Sequence, residues 1–160
     1  MAEAKTNVMR LLEQNKVPYT AHSYPHGKEA VDGVTVAQLT GMDPAAVFKT
    51  LVAVGASKRN YVFVIPVAKE LDLKKAAKAV GEKSIAMIHV SEINALTGYV
   101  RGGCSPLGAK KAYPVYLDAS AETQSKISIS AGKRGEQIIL APADLIRAAN
   151  AAVANLNRHA

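Results

Sequence analysis

Two apolar runs, VFKTLVAVGA over residues 47–56 and NYVFVIPV over 60–67, stand only three residues apart, with SKR between them. Both are rich in valine, phenylalanine and tyrosine, whose branched or aromatic side chains suit a pleated surface buried on at least one face. A link that short can join only antiparallel strands, because a parallel pair needs a crossover of a dozen or more residues. The middle of the chain is therefore a β-hairpin, and the remainder must fold around it.

The flanking segments supply both helices and further strands. Val8, Leu11 and Leu12 recur at helical spacing and predict an amphipathic helix ending near Asn15. YTAHSY at 19–24 is a short strand candidate after Pro18. Thr35 is placed to cap a short helix through Leu39 that Gly41 stops, and Asp43 before Pro44 offers a second start. LDLKKAAKAVG, residues 71–81, has a helix start at Asp72 and a glycine stop. SIAMIHV at 84–90 is read as a strand, Ser91 as the cap of a helix ended by Gly98, and YPVYLD, KISISAG and EQIILAP as three more strands. A last helix is expected from Pro142, with Leu145, Ile146, Ala149, Val153 and Leu156 as its inner stripe. Strands and helices in this order predict an α+β domain, a mixed, mostly antiparallel sheet flanked by helices. At 160 residues, with neither internal repeat nor low-complexity linker, a single domain over 1–160 is expected.

Composition narrows the classes of function. A formal charge of +7 makes a polyanionic partner reasonable, but a solvated basic surface explains it equally well. With no tryptophan and two phenylalanines, an extended base-stacking platform is a poor fit. No apolar run approaches the roughly 20 residues of a spanning helix. The N-terminal segment lacks the build of a signal peptide and one cysteine cannot form an internal disulfide, so a cytoplasmic location is expected. His22, His26, His89 and His159 are scattered without cysteine or carboxylate at ligand spacing, so neither a metal nor another cofactor is expected.

Two features carry chemistry. VRGGCSPLGAKK, residues 100–111, matches neither the G-x-S-x-G nucleophile elbow nor the G-x-x-x-x-G-K-[ST] phosphate loop. Its glycines remove Cβ atoms, so amides near Gly102 and Gly103 could hold a carbonyl oxygen as it becomes an oxyanion, with Pro106 fixing the turn. The same residues also suit an ordinary tight turn between a helix and a strand. The second feature is Lys49, flanked by apolar residues and, in an alternating strand, on one face with Val47 and Leu51. Its ammonium either snorkels to solvent or, if buried, anchors hydroxyl or phosphate oxygens.

VFKTL at 47–51, TGYVRGGCSPLGAKK at 97–111 and SAGKRG at 130–135 together resemble the YbaK family of bacterial aminoacyl-tRNA deacylases, stand-alone relatives of the editing domain of prolyl-tRNA synthetase. The P-Y-x-x-H-x-Y segment at 18–24 and LAPADL at 140–145 extend the resemblance over nearly the whole chain. It implies the barrel-like fold of that editing domain and hydrolysis of the ester between an amino acid and the terminal adenosine of a mischarged tRNA. Cysteine on proline tRNA is the implied substrate; a deacylase for another small amino acid such as alanine, or a non-catalytic tRNA- or synthetase-binding module, are the alternatives. Carried over by position, Lys49 orients the terminal adenosine, and Gly102 and Gly103 hold the ester carbonyl. Tyr24, Thr50, Ser105 and Pro106 line the pocket. Lys110, Lys111, Lys133 and Arg134 are the expected contacts to the tRNA acceptor end, and prolyl-tRNA synthetase is the implied partner. The family's acidic position after GKRG is not cleanly matched, since Glu136 and Gln137 stand there. Nothing in the sequence stands out as a general base, which fits attack by the substrate's own thiol; a hydrolase built on Cys104 is the competing reading.

Overall fold

The hairpin forms where the two apolar runs place it. In the computed structural model, which describes residues 6–24, 33–99, 104–107, 113–133 and 135–158, strands β2 (Phe48–Gly55) and β3 (Asn60–Pro66) pair antiparallel from Phe48↔Pro66 to Val54↔Asn60. The Gly55 N–H donates to the Arg59 carbonyl at 2.8 Å, and Lys58 takes a positive φ of 76° in the turn.

Eight strands are described, joined by α1 (Asn7–Gln14), α2 (Gly33–Thr40), α3 (Leu73–Val80), α4 (Ile93–Thr97) and α5 (Pro142–Ala149). β4 (Ile85–Met87) adds antiparallel to β2, while β5 (Val115–Asp118) and β8 (Ala152–Ala154) continue the far side in parallel, giving the order β4-β2-β3-β5-β8. A second, antiparallel sheet has the order β1 (Thr20–Ser23), β7 (Glu136–Leu140), β6 (Ile127–Ser130). Among the described residues the backbones of the two sheets are joined by one parallel bridge, Val47↔Ser128, just before β2. The expected mixed, mostly antiparallel α+β architecture is present, but the sheets do not close into a barrel: β4 and β8 remain edges of the five-stranded sheet.

β2 and β3 are buried on both faces, and each face has its own core. Phe48, Val62 and Val64 belong to the larger one, with Val8 and Leu12 of α1, Ile129, Ile138 and Leu107. Ala53, Tyr61, Phe63 and Ile65 point the other way, against Ala76 and Ala77 of α3. That helix follows its sequence signals closely: the Asp72 carboxylate accepts from the Lys74 and Lys75 amides, and Gly81 closes it at φ 77°.

Elsewhere the boundaries move. Thr35 lies inside α2, which already begins at Gly33. Ser91 falls within a 3-10 turn, Val90–Glu92, and α4 starts behind it with no side-chain cap. The strand expected at 84–90 shortens to β4, Ile85–Met87. The final helix stops at Ala149 because Asn150 turns left-handed at φ 51°, and the chain continues as β8. Val153 is consequently 37% exposed on an edge strand, while Leu156 is fully buried. Beyond β8, the buried Asp118 carboxylate accepts from the Leu156 and Asn157 amides, the Asn157 side chain and Ser120, which holds the C-terminal segment down. Among the described residues no helix is long and apolar enough to cross a membrane.

Candidate active site

The site begins with an irregularity in β2. Its outer edge meets β6 at Val47 and β4 only from Ala53, with the Ile88 amide reaching the Val52 carbonyl at 3.3 Å. Between those points, Lys49 and Thr50 have ladder partners on the β3 side only, Ile65 and Val64, among the described residues. The two sheets thus part along the segment where the family motif falls.

Alternation sends the two side chains to opposite faces. Lys49 faces with Leu51 and Ile65 toward the α3 layer. Burial pushes its ammonium below its usual pKa, and the nearby Glu70 carboxylate partly offsets this. Thr50 lies with Phe48 and Val64 toward the larger core. Its Oγ1 is buried and has no hydrogen-bond partner among the described residues. Leaving a buried hydroxyl unpaired costs roughly 1–3 kcal/mol, so this atom is either a defect or one side of a contact made by a ligand.

The other two motifs converge on the end of β6. Ser130 accepts from the Gly132 amide at 3.2 Å. Gly132, at φ 99°, approaches so closely that a Cβ there would lie 3.1 Å from Val8 Cγ2 and 3.2 Å from the Tyr99 ring. The Tyr99 hydroxyl in turn donates to the Leu107 carbonyl, and the Leu107 amide to Ser105 Oγ at 3.4 Å. Tyr99 therefore ties the SAGKRG segment to the glycine loop. It was not singled out from the sequence although it sits inside the quoted motif; nothing there distinguished it from a core tyrosine. Ser105 and Pro106 are buried in this arrangement, whereas Lys133 is exposed. Tyr24 is also buried, its amide donating to the Gly135 carbonyl at 2.9 Å. Gly102, Gly103, Lys110, Lys111 and Arg134 lie outside the described residues.

Cys104 is not built as a nucleophile. Burial pushes its thiol up to about 11, with a hydrogen bond to Thr97 opposing the shift, so it is protonated at neutral pH. Glu136 and Gln137 are buried on β7, where the Ser23 hydroxyl donates to Glu136 at 3.1 Å and the Ser128 hydroxyl to Gln137 at 2.9 Å. Among the described residues no group of three or more His, Cys, Asp or Glu is arranged to hold a metal ion.

Comparison with known proteins bears on this geometry. A model of the aminoacyl-tRNA editing domain family matches residues 28–148. An Enterococcus faecalis protein, named as a candidate Cys-tRNA(Pro)/Cys-tRNA(Cys) deacylase, is 46% identical over 154 residues, covering 96% of this chain and 94% of its own. Among solved structures, a candidate trans-editing enzyme for prolyl-tRNA synthetase superposes with a TM-score of 0.81 at 24% identity, covering 98% of this chain and all of its own, 100%. A crystal structure of a hypothetical protein gives a TM-score of 0.85 at 21% identity, covering 96% of this chain and 100% of that one.

Proposed function

Because the chain belongs to the aminoacyl-tRNA editing domain family, we propose that it is a trans-editing deacylase that removes cysteine from mischarged proline tRNA. The observation that supports the assignment of the site is on β2: a partly desolvated Lys49 ammonium and, on the opposite face, a buried Thr50 hydroxyl without a hydrogen-bond partner among the described residues. A buried hydroxyl left without a partner is costly, so packing alone gives no reason for Thr50 in place of an apolar residue of the same shape.

In this reading the Lys49 ammonium, three donors and no acceptor, orients the ribose hydroxyls or phosphate of the terminal adenosine. Amides around Gly102 and Gly103 stabilise the charge developing on the ester carbonyl, the contribution that usually matters most in acyl transfer. Tyr24, Thr50, Ser105 and Pro106 shape the amino-acid pocket. The attacking group is the thiol of the esterified cysteine: its sulfur bonds the carbonyl carbon, the ester C–O bond breaks, and the ribose oxygen leaves with the thiol proton. Water then opens the released cyclic thioester. A held intramolecular nucleophile can contribute roughly 7–11 kcal/mol, so no protein nucleophile is required, and the protonated Cys104 supports that division of labour. Lys110, Lys111, Lys133 and Arg134 receive the acceptor end, prolyl-tRNA synthetase is the partner that presents it, and the whole chain, 1–160, acts in the cytoplasm as one editing domain without cofactor or metal.

The test is release of cysteine from Cys-tRNA(Pro) by purified protein, beside alanyl- and prolyl-tRNA as competing substrates. Lys49→Ala is expected to abolish release while leaving the fold intact; undiminished turnover in that variant would overturn the lysine's role.

A further inference from the structure

Between Lys58 and Ser84 the chain holds seven Lys and Arg against three Asp and Glu, so this one segment has a net charge of +4 in a chain whose net charge is +7. Each of its three carboxylates is held in place by partners of its own, with Glu82 lying near Arg59 and Asp72 near Lys75. Asp72 caps α3 through the Lys74 and Lys75 amides. Glu70 pairs with Arg158 at 3.2 Å. Glu82 folds over Gly55 and accepts from the Ser57 amide, the Ser57 hydroxyl and the Tyr61 hydroxyl, the last at 2.7 Å. Lys75 is also engaged, its ammonium donating to the Asn157 carbonyl at 3.1 Å. The remaining six cations, Lys58, Arg59, Lys69, Lys74, Lys78 and Lys83, are all exposed.

Their placement is directional. α3 buries Ala76 and Ala77 against the sheet face that Lys49 shares, so Lys74 and Lys78, on the helix's opposite side, face outward from that same layer. The helix starts beside Glu70, the carboxylate near Lys49, and ends at the hairpin turn, where the Ala56 amide donates to the Ser84 carbonyl at 3.1 Å. Lys83, Lys58 and Arg59 gather at that end. Seven residues of strand separate Lys49 from Ala56, about 23 Å at roughly 3.3 Å per residue.

We propose that this ridge binds the phosphate backbone of double-stranded RNA, namely the paired acceptor stem of the tRNA whose terminal adenosine lies at Lys49. The inference rests on the deacylase reading and adds a chain segment separate in sequence from Lys110, Lys111, Lys133 and Arg134. The paired stem begins a few nucleotides from the terminal adenosine, a span of the same order as the distance from Lys49 to the hairpin turn. A row of point charges whose neighbouring aromatic, Tyr61, is buried and so not open to stacking suits a duplex backbone, which offers phosphates and no exposed bases.

The experiment replaces Lys74, Lys78 and Lys83 together with Gln and, as a control retaining charge, with Arg. Both variants are assayed on full-length Cys-tRNA(Pro) and on a cysteinylated CCA trinucleotide, which has no stem. Expected for the Gln variant is a fall of tenfold or more in kcat/KM on the full tRNA, a log–log salt dependence shallower by about 3, and an unchanged rate on the trinucleotide; the Arg variant restores the first two. An undiminished kcat/KM on the full tRNA, or an equal loss on both substrates, overturns the ridge. Should the wild-type protein cleave neither substrate, the deacylase reading fails by itself, and fluorescence anisotropy with uncharged tRNA still decides the ridge: weaker binding by the Gln variant than by the Arg variant sustains it, and equal binding overturns it.

Discussion

Lys49 and Thr50 are adjacent residues with opposite relations to the protein. The lysine was legible in the sequence as a charge inside an apolar run; the threonine is an ordinary strand residue until the structure shows its hydroxyl buried without a partner among the described residues. Thr50→Val keeps the shape and removes the unsatisfied oxygen. It is expected to raise the urea midpoint by the equivalent of about 1 kcal/mol and to lower kcat/KM for deacylation, and the two measurements together separate a ligand contact from a packing defect. For Lys49 the folded pKa lies below the ordinary 10.5, so over that interval the unfolded chain binds a proton that the folded chain lacks, and stability rises with pH through it. Lys49→Met should be more stable than the parent at neutral pH and should lose that slope, as urea titrations between pH 7 and 10.5 would show. Cys104→Ser is expected to keep its turnover, because the thiol it replaces stays protonated at working pH. What remained illegible at this scale was contact: no spacing rule links Tyr99 to Leu107 or Gly132, since their meeting depends on where β6 ends.

The elements most readable in advance were those with local causes. The hairpin followed from two β-rich runs and a short link, and α3 from Asp72 and Gly81 at its ends. Where the cause is tertiary the reading slipped: the apolar spacing of Val153 and Leu156 continues a helical stripe, yet Asn150 ends the helix and pairing with β5 recruits the next residues as a strand. Gly55 shows the same dependence on neighbours. A Cβ on it would run into the Glu82 side chain, which is fixed by Ser57 and Tyr61. Gly55→Ala should therefore displace Glu82 and cost on the order of 1–3 kcal/mol in thermal or urea unfolding. Glu82→Ala in the same background should recover part of that loss.

For the molecule as a whole, the α+β class was legible because strand and helix patterns alternate along the chain, whereas the separation into two sheets meeting at one bridge was not, because strand order is written in no local signal. Asp118 is the residue through which the five-stranded sheet secures the end of the chain. Although burial alone would raise its pKa, the hydrogen bonds from Ser120, Leu156 and Asn157 keep its carboxyl below the ordinary 3.8, so its contribution is present above that value and is lost as pH falls through the lowered one. Asp118→Asn should reduce stability at pH 7 by on the order of 3 kcal/mol and flatten the acid limb of the unfolding curve. The bridge between Val47 and Ser128 has a kinetic meaning as well. The hairpin can close as soon as its own residues exist, but the β2–β6 junction must wait until most of the chain has been gathered, and long loops close late. The gap between the sheets beside Lys49 is thus expected to form late in folding, so that a newly made chain would acquire its fold's centre before its chemistry.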